Sequence, residues 1–141
     1  MTSAKVYVDG SYDATLNTVG AGYIMLIGED LPLYYKECII DDDLLAHRNV
    51  SGELMATFKA LKEAVEQHVT DLDIYYDYEG IEKWATGEWQ AKNKFTKWYV
   101  NQYCIAETYM HITFHKILAH SGDKWNEKAD SLAKNACLMV R

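Results

Sequence analysis

Cysteine is too scarce and too scattered in this sequence to staple a fold. Cys38, Cys104 and Cys137 form no CxxC pair, so neither a zinc site nor a disulfide framework is indicated, and a reducing compartment is the simplest reading. No apolar run approaches the ~20 residues that a membrane-spanning helix needs. The N-terminus has no signal-like h-region, because Lys5-Val6-Tyr7-Val8 reads at once as a short, partly polar strand. Residence in the cytoplasm is therefore expected. Repeats, linkers and low-complexity segments are missing, and the only proline, Pro32, sits at a turn edge where it is tolerated. Positive charge is also short. With 14 Lys and Arg against 21 Asp and Glu, the net charge is −7, which argues against a broadly phosphate-binding surface. Any nucleic-acid binding must come from a local patch and should be sensitive to salt.

What is present suits one domain over residues 1–141 with a real core: hydrophobic residues make up 49% and charged residues 25% of the chain. Residues 4–9 are β-rich and meet a turn signal at Asp9-Gly10-Ser11. Strands are expected over 19–27 and 33–40, giving an antiparallel meander. Asp41-Asp42-Asp43 reads as a solvated loop, since three adjacent acids without glycine spacing make a poor calcium loop. Over 52–68 the period changes: Leu54, Phe58, Leu61 and Val65 share one helical face. A strand over 72–76, short helices over 78–86 and 93–105 and a strand over 110–117 follow. A last helix begins after Ser121-Gly122-Asp123, with Trp125, Ala129, Leu132, Ala133 and Ala136 as its apolar face. The order βββαβααβα implies an α/β fold: a mixed five-stranded sheet, strands 1–3 antiparallel, 4 and 5 parallel to 1 through helical crossovers.

Within that sheet, Asp9 and Asp77 each follow a strand, and neighbouring strands would bring both carboxylates to one edge. Glu53 opens the first long helix toward the same edge. Asp130 lies one turn after Asn126 on the last helix, so the two share a face. Four converging carboxylates cannot all stay ionised without cations, and hard, oxygen-liking Mg²⁺ or Mn²⁺ suits them. Two such ions would also offset four of the negative charges. Taken one by one, these acids are ordinary turn formers and helix-start residues. Alone they indicate a candidate metal site and no more.

Four blocks occur in order: Tyr7-Val8-Asp9-Gly10-Ser11, Ser51-Gly52-Glu53-Leu54, Tyr76-Asp77-Tyr78-Glu79-Gly80-Ile81, and His120-Ser121-Gly122-Asp123-Lys124-Trp125-Asn126-Glu127-Lys128-Ala129-Asp130. Together they resemble the type I ribonuclease H family across nearly the whole chain, residues 5 to about 136. The resemblance implies the ribonuclease H-like fold and hydrolysis of the RNA strand of RNA–DNA hybrids, leaving 5′-phosphate and 3′-hydroxyl ends. It implies two Mg²⁺ ions, with Mn²⁺ as a substitute, held by Asp9, Glu53, Asp77 and Asp130. His120 would assist proton transfer or product departure. Gly10, Ser11 and Asn49 would touch the RNA strand, where the 2′-hydroxyl separates RNA from DNA. Asn126 would join the substrate contacts. Trp84 reads equally as a platform for the DNA strand's sugars or as a helix anchor, while Trp89 and Trp98 read as packing.

The chain departs from the family in two places. Arg48-Asn49-Val50 replaces the Thr-Asn-Asn that often helps hold a DNA phosphate, so Arg48 becomes a phosphate contact of its own kind. The basic protrusion common before the fifth strand reduces to Lys92, Lys94 and Lys97, diluted by Glu88. Weak substrate affinity or dependence on a partner is the expectation, with a monomer as the working unit. Two other readings compete: a catalytically silent hybrid-binding module, and another nuclease of the same broad fold acting on duplex DNA. Metal-dependent turnover separates the first, and a substrate panel the second.

Overall fold

A computed structural model describes residues 1–118 and 122–139. The elements are β1 (Ser3–Asp13), β2 (Thr18–Ile27), β3 (Leu33–Ile39), α1 (Asp42–Leu45), α2 (Asn49–Glu66), β4 (Asp71–Tyr76), α3 (Gly80–Thr86), α4 (Lys94–Glu107), β5 (His111–Lys116) and α5 (Lys124–Cys137). The five strands form one sheet in the order β3-β2-β1-β4-β5. β1, β2 and β3 pair antiparallel, while β4 runs parallel to β1 and β5 parallel to β4. This is the mixed sheet that the sequence implies. No helix of the described residues is long and apolar enough to cross a membrane.

β1 runs farther than expected. It does not stop at Asp9-Gly10-Ser11 but continues to Asp13, pairing Asp9 with Gly22, Gly10 with Ala21 and Ser11 with Gly20. The turn comes later and closes at Asn17, which adopts a left-handed φ of 50°, a conformation asparagine tolerates well. Gly10 therefore serves packing rather than a turn. A Cβ there would lie 2.3 Å from the Glu53 backbone nitrogen and 2.5 Å from the Gly52 carbonyl carbon. Gly52 returns the contact: its own Cβ would meet the Gly20 carbonyl oxygen at 2.4 Å and the Gly10 Cα at 3.0 Å. β1, β2 and the start of α2 thus meet backbone against backbone.

The aspartate tract also differs from the expected loop. Leu44 and Leu45 donate backbone hydrogen bonds to the Asp41 carbonyl, starting the short helix α1. An aspartate before a helix is favoured because its acceptors meet the free amides. Ser51 donates to the Leu44 carbonyl and ties α1 to α2.

The sheet is covered on both faces. α2 lies against β1 and β2 on one side, with α4 beside it; α5 crosses β1, β2 and β3 on the other. Of the expected stripe on α2, Leu54 and Leu61 are buried, whereas Phe58 and Val65 are half-buried. Phe58 turns to α4, its ring 4.6 Å from that of Trp98. The completely buried positions of α2 include Ala56, Ala60 and Ala64, which join Val6, Val8 and Ile74 in the main core. α5 buries Ala129, Ala133 and Ala136 as expected, while Trp125 and Leu132 are half-buried.

Candidate active site

Asp9 and Asp77 come together because β1 and β4 are parallel neighbours. The register pairs Tyr7 with Tyr75 and the two strands then part, so Asp9 and Asp77 each stand two residues beyond the last pair. Glu53 arrives from the other direction, in the second turn of α2, aimed by the close backbone contact at Gly10 and Gly52. One carboxylate oxygen from each of Asp9, Glu53 and Asp77 lies within 4.8 Å of the other two. Asp9 and Glu53 are each only 3% exposed.

So much negative charge out of water is costly, and the acids show it. Burial pushes Asp9 up to about 7, reinforced by the charge of Asp77 and the contact with Asp130. Its contacts with Glu53 and the Gly10 amide act the other way; the amide donates to Asp9 Oδ1 at 2.9 Å. Burial likewise raises Glu53 well above the ordinary carboxylate range, with Asp9 and Asp77 adding to the effect. Both acids are thus pushed toward their neutral forms, and positive charge entering the cluster would favour the carboxylates again.

The fourth acid sits differently. Asp130, on α5, reaches Asp9 from the opposite face of the sheet. It also pairs with Lys134 one turn on, Oδ2 to Nζ at 2.9 Å. That partnership holds the Lys134 ammonium above its ordinary pKa. The i, i+4 spacing of the pair is visible in the sequence, yet Lys134 is not among the residues singled out there.

This arrangement fits a divalent cation. Glu53 Oε2 is buried with no hydrogen-bond partner among the described residues, and so is Asn126 Oδ1 on α5. Orphaned buried acceptors are rare in folded proteins. An all-oxygen donor set is the kind that Mg²⁺ or Mn²⁺ prefers.

The remaining residues singled out from sequence surround this cluster unevenly. Gly10 and Ser11 continue β1 past Asp9, both half-buried. Asn49 is the first residue of α2 and is exposed. Arg48 precedes it with a left-handed φ of 52° and makes no side-chain cap; its guanidinium lies over the Tyr12 ring, 5.6 Å from the centroid. Trp84 is half-buried on α3, wedged between Tyr78 and an edge-on Trp89. Asn126 is 3% exposed in the first turn of α5, whose free amides are capped by Asp123 Oδ1. His120 lies outside the described residues. Behind the cluster, Tyr7, Tyr75 and His115 stack across three strands, and His115 Nε2 meets Asp73 at 2.8 Å.

The curated relatives include ribonuclease H of Prosthecochloris aestuarii, 28% identical over 145 residues, covering 93% of this chain and 92% of the relative. Ribonuclease H of Bartonella quintana is 30% identical over 147 residues, covering 97% and 90%. Among solved structures, ribonuclease H1 of the archaeon Halobacterium salinarum superposes with a TM-score of 0.76 at 21% identity, covering 98% of this chain and 99% of its own. LC11-RNase H1, solved in complex with an RNA/DNA hybrid, gives 0.75 at 17% identity, covering 95% and 96%. At such identities these two establish the fold alone. The sequence model of the RNase H family matches residues 1–138, the span that carries all four acids, and the chain belongs to that family.

Proposed function

We propose that this protein is an endonuclease that hydrolyses the RNA strand of RNA–DNA hybrids, leaving 5′-phosphate and 3′-hydroxyl ends. The observation that carries the proposal is the convergence of Asp9, Glu53 and Asp77 within 4.8 Å around an orphaned buried oxygen of Glu53, in a chain of the RNase H family. The hybrid bound to LC11-RNase H1 supports the choice of substrate.

Asp9, Glu53, Asp77 and Asp130 would hold two Mg²⁺ ions, with Mn²⁺ as a substitute. Bound there, such a pair supplies an activated water for in-line attack and offsets charge on the departing 3′ oxygen. The residues do the rest. Glu53, pushed by burial toward its neutral form, is the acid whose carboxylate a bound cation would favour most. His120 helps a proton or the product leave. Gly10, Ser11 and Asn49 read the RNA strand at its 2′-hydroxyls, with Asn126 supporting them from α5. Arg48, steadied on Tyr12, meets a backbone phosphate, and the exposed part of Trp84 faces the DNA strand's sugars. The working unit is a monomer, and with a net charge of −7 its hold on substrate weakens steeply as salt rises.

The test is cleavage of an end-labelled RNA–DNA hybrid with Mg²⁺ or EDTA, beside RNA–RNA, DNA–DNA and single-stranded RNA. Metal-dependent cutting confined to the hybrid's RNA strand is expected. A folded sample that cuts nothing with Mg²⁺ or Mn²⁺ would point to a silent hybrid-binding module. Cutting of duplex DNA would keep the metal site and overturn the substrate.

A further inference from the structure

The acids of this cluster sit in two settings. Asp9, Glu53 and Asp77 converge within 4.8 Å around a buried, orphaned oxygen of Glu53. Asp130 has the Lys134 ammonium 2.9 Å away. Asp130 does not belong to the trio whose oxygens lie within 4.8 Å of one another, although it contacts Asp9. The Lys134 side chain is 60% exposed and that of Asp130 23%, so water screens the pair and holds it weakly enough to be broken.

We infer that Lys134 is a displaceable internal cation that makes metal loading stepwise, with the Asp9–Glu53–Asp77 trio filling first and the Asp9–Asp130 position filling only as the ammonium swings away. The inference rests on the metal-site part of the proposed function and adds the residue that sets the order. A cation entering the trio meets the orphaned, buried oxygen of Glu53. One entering beside Asp130 must compete with a positive charge tethered one helical turn away, always present at high effective concentration. Lys134 is thus a positioning residue for Asp130. It keeps the two binding steps unequal and the second acid neutralised until a divalent ion arrives.

The experiment is titration of the metal-free protein with Mn²⁺, without substrate, followed by calorimetry and by the electron paramagnetic resonance of free Mn²⁺. Two unequal steps are expected in the wild type. Lys134→Ala should tighten the second step by roughly threefold to tenfold and leave the first nearly unchanged. Lys134→Arg should restore the wild-type pattern. Lys128→Ala removes a lysine of the same helix whose ammonium lies over Tyr34 instead, and it should change neither step. An unchanged or weakened second step in Lys134→Ala would overturn the inference. Tightening by Lys128→Ala or Lys134→Arg to the same degree would overturn it too, since any lost or altered surface charge would then suffice. Hybrid cleavage by the wild type, scored in parallel, reports on the proposed function separately: a protein that loads Mn²⁺ in the expected order but cuts nothing would sink the nuclease reading and leave this one standing.

Discussion

Glu53 and Asp130 approach the same strand from helices on opposite faces of the sheet, and they are held in opposite ways. Glu53 is fixed by backbone: β1 and α2 touch at Gly10 and Gly52 with no side chain between them, and the residue is 3% exposed. Asp130 is half-buried and leans on a lysine that reaches in from solvent. One side of the site is built in advance and bears the cost of a buried acid; the other is adjustable. Preorganisation is needed where charge must be aimed closely, and adjustability is tolerable where an ion or strand has to enter and leave.

The comparison can be broken most severely at its centre. Asp9 contacts both sides, so Asp9→Asn should lower hybrid cleavage by on the order of a thousandfold or more while the circular dichroism spectrum stays native. Asp77→Asn should do the same. Substantial residual activity in both variants would mean that this cluster does not carry the chemistry.

Proton linkage gives the next largest effect. In the folded protein Asp9 is raised from 3.8 to about 7, and Glu53 moves in the same direction. Between those pH values the folded chain keeps a proton that the unfolded chain has released, so metal-free stability must fall as pH rises from about 4 to 7. The loss is on the order of a few kcal/mol. Thermal unfolding in EDTA should show the decline, and Mg²⁺ should suppress it. A flat profile in EDTA would remove the buried-acid account of the α2 side.

Neutralising one acid on each side sharpens the contrast. Glu53→Gln should raise metal-free stability near pH 8 by about 1–3 kcal/mol, because the carboxyl ionises far more readily in the unfolded chain than in this buried site, and an amide does not. Asp130→Asn should change it by no more than ~0.5 kcal/mol, since the pair it breaks is screened. Equal effects in urea denaturation would erase the distinction between the two sides. The smallest expected effect is that of Arg48→Ala, exposed and stacked on Tyr12. Hybrid affinity measured against salt should drop a few-fold, with a slope shallower by about 0.9, and stability should stay within ~0.5 kcal/mol.

Apart from the short α1, the order of strands and helices and the position of the acids could be read from the sequence, because alternation, helical spacing and four blocks in register agree. Asp-Gly-Ser misled as a turn signal. Glycine serves turns and close contacts alike, and only the structure shows α2 resting where a Cβ at Gly10 would stand. The buried stripe of α2 keeps Leu54 and Leu61 but adds Ala56, Ala60 and Ala64, which were hidden beside the larger Leu54, Phe58, Leu61 and Val65. Alanine is small enough to fit either face of a helix, so spacing alone does not select it. Asp130 was marked by its block, but its tie to Lys134 was passed over. A spacing of four on an exposed helix usually marks nothing more than a weak surface pair.

The meeting of Gly10, Gly20 and Gly52 bears on how tolerance to substitution should be read in this chain. Each position excludes even a methyl group: the hypothetical Cβ of Gly20 would stand 1.9 Å from the Ala133 carbonyl oxygen. In a survey of all single substitutions scored by nuclease activity, these three glycines should prove as unforgiving as Asp9 or Glu53, although none of them carries a side chain that could bind a cation. Scoring abundance alongside activity would tell the two classes apart. Variants at the glycines should lose folded protein, and amide or alanine variants at the acids should accumulate normally and fail only at catalysis.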